Sequence, residues 1–209
     1  MAAVLKDLSH LPAPAAVQQL HHYAYKARDA EETRHFYEDI LGLPLYHIIQ
    51  SDYVPSTGEY CPYTHFFFRL LDGSFIAFFD LGDDEAALPS PNTPLWVNHI
   101  SFRVNTEQEL ENTKARLQAH GVDVLGVTDH HIFKSIYFFD PNGIRLELTA
   151  QLADAVQMQR ESTTAHARLN EWTARKQQWR AERAAGQTPT PLKPAQNDRP
   201  EFVPGGTEV

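Results

Sequence analysis

Residues 19–82 and residues 95–150 read as the same order of elements, strand, helix, strand, strand, strand. That internal repeat constrains the chain more than any other feature of it. In the first half "LHHYAYKA" reads as a strand, and Asp29 caps a helix over "AEETRHFYEDILG" that Gly42 ends. "PLYHIIQSDYV" is extended, and "YTHFFFRLLDGSFIAFFDLG" is a hairpin turning at Asp72-Gly73. In the second half "VNHISFRV" is a strand, and "TEQELENTKARLQAHG" is a helix whose Thr106 and Glu109 form a capping-box pattern. "VDVLGVTDHH" is extended, and "IFKSIYFFDPNGIRLELTA" is the second hairpin. Aligning Gly73 with Gly143 sets an offset of 70, and aligning His22 with His99 sets one of 77. The first half therefore carries about seven extra residues, which the pattern places in the 48–62 stretch.

The repeat predicts an α+β fold of two tandem βαβββ modules, residues 19–82 and 95–150, forming a curved mixed sheet around a central site. Residues 1–18 read as an N-terminal arm, 83–94 as a linker and 187–209 as a Pro-rich flexible tail. Residues 151–186 read as a C-terminal helix without Pro. Its Trp172 and Trp179, seven apart on one face, are expected to pack on the body or on a second subunit.

Composition narrows the function classes. A net charge of −9 offers no basic footprint for nucleic acid or an anionic membrane. No apolar run approaches the roughly 18 residues of a spanning helix, and the start has no unbroken apolar core of a secretory signal. A single cysteine, Cys61, gives no internal disulfide framework and suits a reducing cytoplasm. The expectation is a cytoplasmic protein with a small-molecule partner, neither nucleic acid nor membrane.

Strand alternation selects the candidate residues. In "NHISFRV", Ile100, Phe102 and Val104 point one way and His99, Ser101 and Arg103 the other. If Pro141-Asn142-Gly143 forms a three-residue loop, Asp140 pairs with Ile144 and Tyr137 sits opposite Glu147. His131, Phe133, Ser135, Tyr137 and Phe139 then share a face with Arg145 and Glu147, and the reverse face is almost wholly apolar. Under the two offsets Ala77 stands where Glu147 does, His65 where Ser135 does, and His22 where His99 does. A carboxylate such as Glu147 set among apolar neighbours is costly unless it is paired or holds a metal. Two histidines and one carboxylate, His22, His99 and Glu147, make a facial triad with open positions for substrate and O2. Neutral imidazoles and one carboxylate leave a divalent ion one positive charge, which a catecholate would neutralise.

Across residues 19–150 the segments "HHYAYKARDAEETRHFYEDILGL", "NHISFRV" and "FFDPNGIRLEL" resemble the vicinal oxygen chelate superfamily of glyoxalases, fosfomycin- and bleomycin-resistance proteins and extradiol dioxygenases. The resemblance places the first metal ligand seven residues before the Asp that opens the first helix, which prefers His22 to His21. A glyoxalase-type lyase carries a fourth ligand where this chain has Ala77, so the three-ligand pattern is closest to the extradiol dioxygenases. Tyr137 matches their substrate-contacting tyrosine, ten residues before the glutamate. Ser74 stands where those enzymes carry a catalytic histidine, which leaves proton transfer to His65 or to His130/His131.

The resemblance implies Fe(2+), with Mn(2+) or another divalent metal as alternatives, a small aromatic or other vicinal-oxygen substrate, O2, and a homo-oligomer. The site it implies has His22, His99 and Glu147 as ligands, and His131, Tyr137 and His65 as catalytic residues. Two other functions fit the same residues: a non-redox isomerase or lyase, and a small-molecule binding protein without turnover.

Overall fold

The computed structural model describes residues 17–88, 90 and 92–190. Of the expected arm and tail, all but residues 17–18 and 187–190 lie outside the described residues. Strand β1 (His22–Lys26) leads to helix α1 (Ala30–Arg34). Strands β2 (Leu45–Tyr53), β3 (Tyr60–Arg69) and β4 (Phe75–Asp80) follow. The repeat continues with β5 (Ile100–Val104), α2 (Glu107–Ala119), β6 (Leu125–Asp129), β7 (Phe133–Phe139) and β8 (Arg145–Gln151). A long helix, α3, spans Ala155–Ala184.

Each repeat builds its own four-stranded mixed sheet, in the order β1-β4-β3-β2 for the first and β5-β8-β7-β6 for the second. In both, the first strand runs parallel to the last and the remaining pairs are antiparallel. The registers coincide across the repeat. Phe67 pairs with Ala77 as Tyr137 pairs with Glu147. The extra length of the first half lies in the hairpin of β2 and β3, strands of nine and ten residues, where β6 and β7 have five and seven.

The helices start as their caps dictate. Asp29 accepts from the Glu32 N–H, and Thr106 with Glu109 forms the complete capping box. The first helix departs from the expected regular form, because after Arg34 it widens into π-helical turns over His35–Ile40. Arg34 bridges this widened segment, pairing with Glu31, Glu38 and Asp39.

One core serves both sheets. Phe36, Tyr37, Phe66, Phe68, Ile76 and Phe78 of the first repeat cluster with Leu110, Leu117, Ile136, Phe138, Leu146 and Leu148 of the second. These are the helix-side residues of each sheet, so the polar faces are turned outward from the shared core. Loss of a ring such as Phe138, 1% exposed, costs about 3–5 kcal/mol.

A buried polar lock ties the two repeats beside that core. The Tyr37 hydroxyl donates to Asp140 Oδ2 at 2.9 Å, and the Asn142 and Ile144 N–H groups donate to Asp140 Oδ1. Asn142 accepts from the Arg28 N–H at 2.8 Å and donates to Thr33 Oγ1 at 3.1 Å. Gly143 closes the loop at φ 78°, a conformation that a side chain would oppose. Burial pushes the Asp140 carboxyl above its ordinary range even though Ile144, Tyr37 and Asn142 hydrogen bond to it.

The body ends at Leu152, and a second unit begins at Ala153. Within that unit Asp154 caps α3, and Trp172 and Trp179 meet edge to face at 5.4 Å. The Trp179 indole N–H donates to the Thr190 carbonyl at 2.6 Å. None of the residues of α3 is buried.

Two outcomes are expected. Tyr37→Phe removes one donor from buried Asp140 and lowers unfolding free energy by about 1–3 kcal/mol in urea titrations. A chain truncated after Leu152 keeps its cooperative melt but sediments at lower mass than the full chain, because a helix of 30 residues with no buried side chain needs a partner surface.

Candidate metal centre

Glu147 lies in the middle of β8 between Leu146 and Leu148, whose side chains enter the core on the opposite face. It is itself 4% exposed. Its Oε2 is 3.2 Å from Nε2 of His99, which immediately precedes β5. The other ring nitrogen of His99 is 3.0 Å from the Val97 carbonyl. A carbonyl only accepts, so Nδ1 carries the proton there, and Nε2 is the nitrogen turned toward Glu147. At that distance the two atoms share either a proton, as an ion pair, or a metal ion. Backbone fixation of the far nitrogen is also how metal-ligating imidazoles are held.

Hydroxyl groups surround the carboxylate. Burial pushes the Glu147 carboxyl up, but hydrogen bonds from Ser135, Tyr137 and Ser101, with the nearby His99, outweigh it and hold the group below the usual carboxylate range. Thr149 links the two serines, at 2.8 Å from Ser101 Oγ and 3.0 Å from Ser135 Oγ. The Tyr137 phenol is pushed up to about 12, by burial first and then by the hydrogen bond and charge of Glu147. Its oxygen is also 2.7 Å from Nε2 of His130. The phenol has one proton, and Glu147 accepts it, so His130 donates in turn. The result is a donor chain running His130 to Tyr137 to Glu147.

The first sheet presents a second group. His22, at the start of β1, is exposed, and its Nδ1 lies 2.8 Å from Nδ1 of His21. Its ring is 6.1 Å from that of His65 and 5.7 Å from Phe67. His65 is 7% exposed and stacked on Phe79 at 3.7 Å. Burial lowers its pKa, and Nδ1 donates to the Phe78 carbonyl at 2.9 Å, leaving a neutral ring with a lone pair at Nε2.

The structure thus brings His99, Glu147, Tyr137 and His130 together on one sheet, and His22 and His65 together on the other. It does not bring the two groups together within one chain. Among the described residues no cluster of three or more His, Cys, Asp or Glu could hold a metal ion. His131 sits in the turn before β7 at φ 69°, its N–H bonded to Asp129. The imidazole that reaches the site is that of His130, because alternation does not extend through a turn. Ser74 is 3% exposed, and its hydroxyl donates to Asp72 at 2.6 Å within the β3–β4 turn. Arg145 is the residue whose role the sequence did not signal. Its guanidinium lies 4.3 Å over the Tyr137 ring.

The model of the Glyoxalase/Bleomycin resistance protein/Dioxygenase superfamily matches residues 19–148, the whole first repeat and all but the last two residues of the second. The chain belongs to that superfamily. It is 29% identical to the metallothiol transferase FosB of Staphylococcus saprophyticus over 159 residues, 75% of this chain and 92% of FosB. A shorter stretch of 53 residues is 38% identical to a Bacillus subtilis protein named "Putative ring-cleaving dioxygenase MhqA", and it spans 25% of this chain and only 17% of MhqA. Among solved structures, a glyoxalase/bleomycin resistance protein/dioxygenase domain from Frankia sp. EAN1pec covers 66% of this chain and 100% of its own, at a TM-score of 0.53 and 17% identity. That likeness shows the α+β fold. Among the described residues no helix is long and apolar enough to cross a membrane.

The raised phenol makes a pH prediction. A group that keeps its proton in the folded state contributes stability that is fully present below the ordinary tyrosine pKa near 10. That contribution is lost as pH rises toward about 12. Wild-type protein therefore loses stability more steeply than Tyr137→Phe between roughly pH 10 and pH 12, as read from denaturant midpoints. Parallel slopes would show that Tyr137 ionises as freely when folded.

Proposed function

We propose that the chain is a metal-dependent oxidoreductase, an extradiol-type dioxygenase in which His22, His99 and Glu147 hold one iron(II) and a catechol-like substrate chelates through two vicinal oxygens. The observation that carries the reading is the 3.2 Å approach of His99 Nε2 to Glu147 Oε2, a ring held from behind by the Val97 carbonyl beside a buried carboxylate. Iron(II), when bound, supplies Lewis-acid polarisation of the diol oxygens and the redox chemistry that lets O2 react with the ring. Manganese(II) suits the same donors. Every other step belongs to the chain's own side chains.

His22 stands on the other sheet, so the proposal includes a second copy of the chain. A two-fold dimer sets the first sheet of each copy against the second sheet of its partner and builds two equivalent sites. Exposure of the first sheet's face, with His22 and His47 exposed and Ile49 41% exposed, supports this reading.

Tyr137 keeps its proton at neutral pH, and once Glu147 is engaged by the metal its hydroxyl turns to donate to a substrate oxygen. His130 orients the phenol by donating to its oxygen. His65, neutral and with Nε2 unprotonated, accepts the second diol proton. Ser74 takes no part, since Asp72 engages its hydroxyl.

A second reading, non-redox addition or isomerisation on the same metal, is supported by the likeness to FosB along nearly its whole length. Oxygen uptake separates the two. Iron(II)-loaded protein is expected to consume O2 with at least one member of a catechol panel and to generate a ring-opened chromophore. His65→Ala is expected to lower that rate by about 10²–10⁴ at unchanged metal content, and Ser74→Ala to leave it nearly intact. Metal-replete protein that consumes no O2 with any catechol contradicts the dioxygenase reading and favours the second.

A further inference from the structure

Arg145 opens β8 two residues before Glu147 and on the same face. Two contacts hold its guanidinium: the Tyr137 ring beneath it, 4.3 Å from carbon to centroid, and the Trp96 carbonyl, which accepts from Nη1. Among the described residues it forms no ion pair. A guanidinium is always charged, and one held by a ring and a carbonyl has already lost much of its conformational freedom. It is a pre-oriented positive charge without a counter-ion.

The segment that holds it also holds the metal centre. Trp96 accepts from Arg145, and the next residue, Val97, accepts from His99 Nδ1. The side chains of Leu95, Trp96 and Val97 are 64%, 54% and 40% exposed, an apolar rim beside the two charged groups. A strand rises about 3.3 Å per residue, so Arg145 and Glu147 stand roughly 6–7 Å apart along β8. That is close to the length of one substituted aromatic ring.

We propose that Arg145 is a specificity-determining residue that binds an oxyanion group, a carboxylate or phosphonate, carried by the substrate at the far end of the ring from its chelating oxygens. The proposal rests on the metal-centred reading given above and names its substrate class: a planar aromatic acid, with the ring over the apolar rim and the acid on Arg145. The planar fork of N–H donors left on the guanidinium matches the two oxygens of such a group. A neutral diol leaves the charge unanswered.

The test measures charge preference apart from turnover. Full-length wild type, Arg145→Lys and Arg145→Met are titrated with benzoate, phenylphosphonate and the neutral benzamide, followed by calorimetry. Wild type is expected to bind one or both anions about tenfold or more tightly than benzamide, as charge-assisted hydrogen bonds allow. Arg145→Lys keeps part of the preference and Arg145→Met loses it. The stronger of the two anions identifies the oxyanion class. If Arg145 served only to hold Tyr137, its replacement would weaken all three probes together and leave their ratio unchanged. An equal affinity of wild type for benzoate, phenylphosphonate and benzamide overturns the proposal, as does a preference that survives in Arg145→Met. Anion preference without O2 uptake on any catechol leaves this proposal standing and removes the dioxygenase reading. O2 uptake without anion preference does the reverse.

Discussion

A buried carboxylate facing an imidazole nitrogen is the interaction on which the rest of this protein depends. Glu147 is almost wholly enclosed between two core leucines, yet it stays in the acidic, ionised range because three hydroxyls hydrogen bond to it and His99 lies beside it. Desolvating such a charge is costly unless it is satisfied. Ser101, Ser135 and Tyr137 satisfy one side of the carboxylate, and the backbone carbonyl of Val97 holds the His99 ring with Nε2 toward the other. Ser101 comes from β5, Ser135 and Tyr137 from β7, Glu147 from β8 and Val97 from the preceding loop, so three strands of the second sheet must be in place before the pair exists.

The core explains where the two halves of the site go. Both sheets bury their helix sides in one aromatic and aliphatic cluster, and the Tyr37–Asp140–Asn142–Thr33 lock fixes the repeats beside it. Within one chain His22 stands on the sheet of the first repeat, and Glu147, itself buried, on that of the second. In the proposed dimer each copy supplies what the other lacks.

Much of this was legible in the sequence. Alternation across β7 and β8 fixed the pairing of Tyr137 with Glu147, because a slip of one residue would have placed Ile136, Phe138, Leu146 and Leu148 in solvent. The offsets of 70 and 77 located the longer first hairpin. The sequence was silent where side-chain direction is set by loops and not by a period. His130, not His131, reaches Tyr137, because the turn before β7 puts His131 at positive φ. Arg145 was placed on the right face, but its stacking on Tyr137 and its bond to Trp96 depend on how the linker returns to β5. The widening of the first helix over His35–Ile40 has no local signature in "HFYEDI". Whether two repeats close on each other or on a second copy is a property of the shared core, which no strand period encodes.

Subunit complementation tests the central claim most directly. His22→Ala and Glu147→Ala proteins are prepared separately, each expected to hold almost no divalent metal. They are then mixed under conditions that exchange subunits, and bound metal is counted after desalting. Random pairing makes about half of the dimers mixed, and each mixed dimer carries one intact site, so metal content should rise to about a quarter of the wild-type value. A mixture that binds no more metal than its components contradicts a site shared between copies. Full metal binding by either variant alone contradicts the assignment of its substituted residue as a ligand.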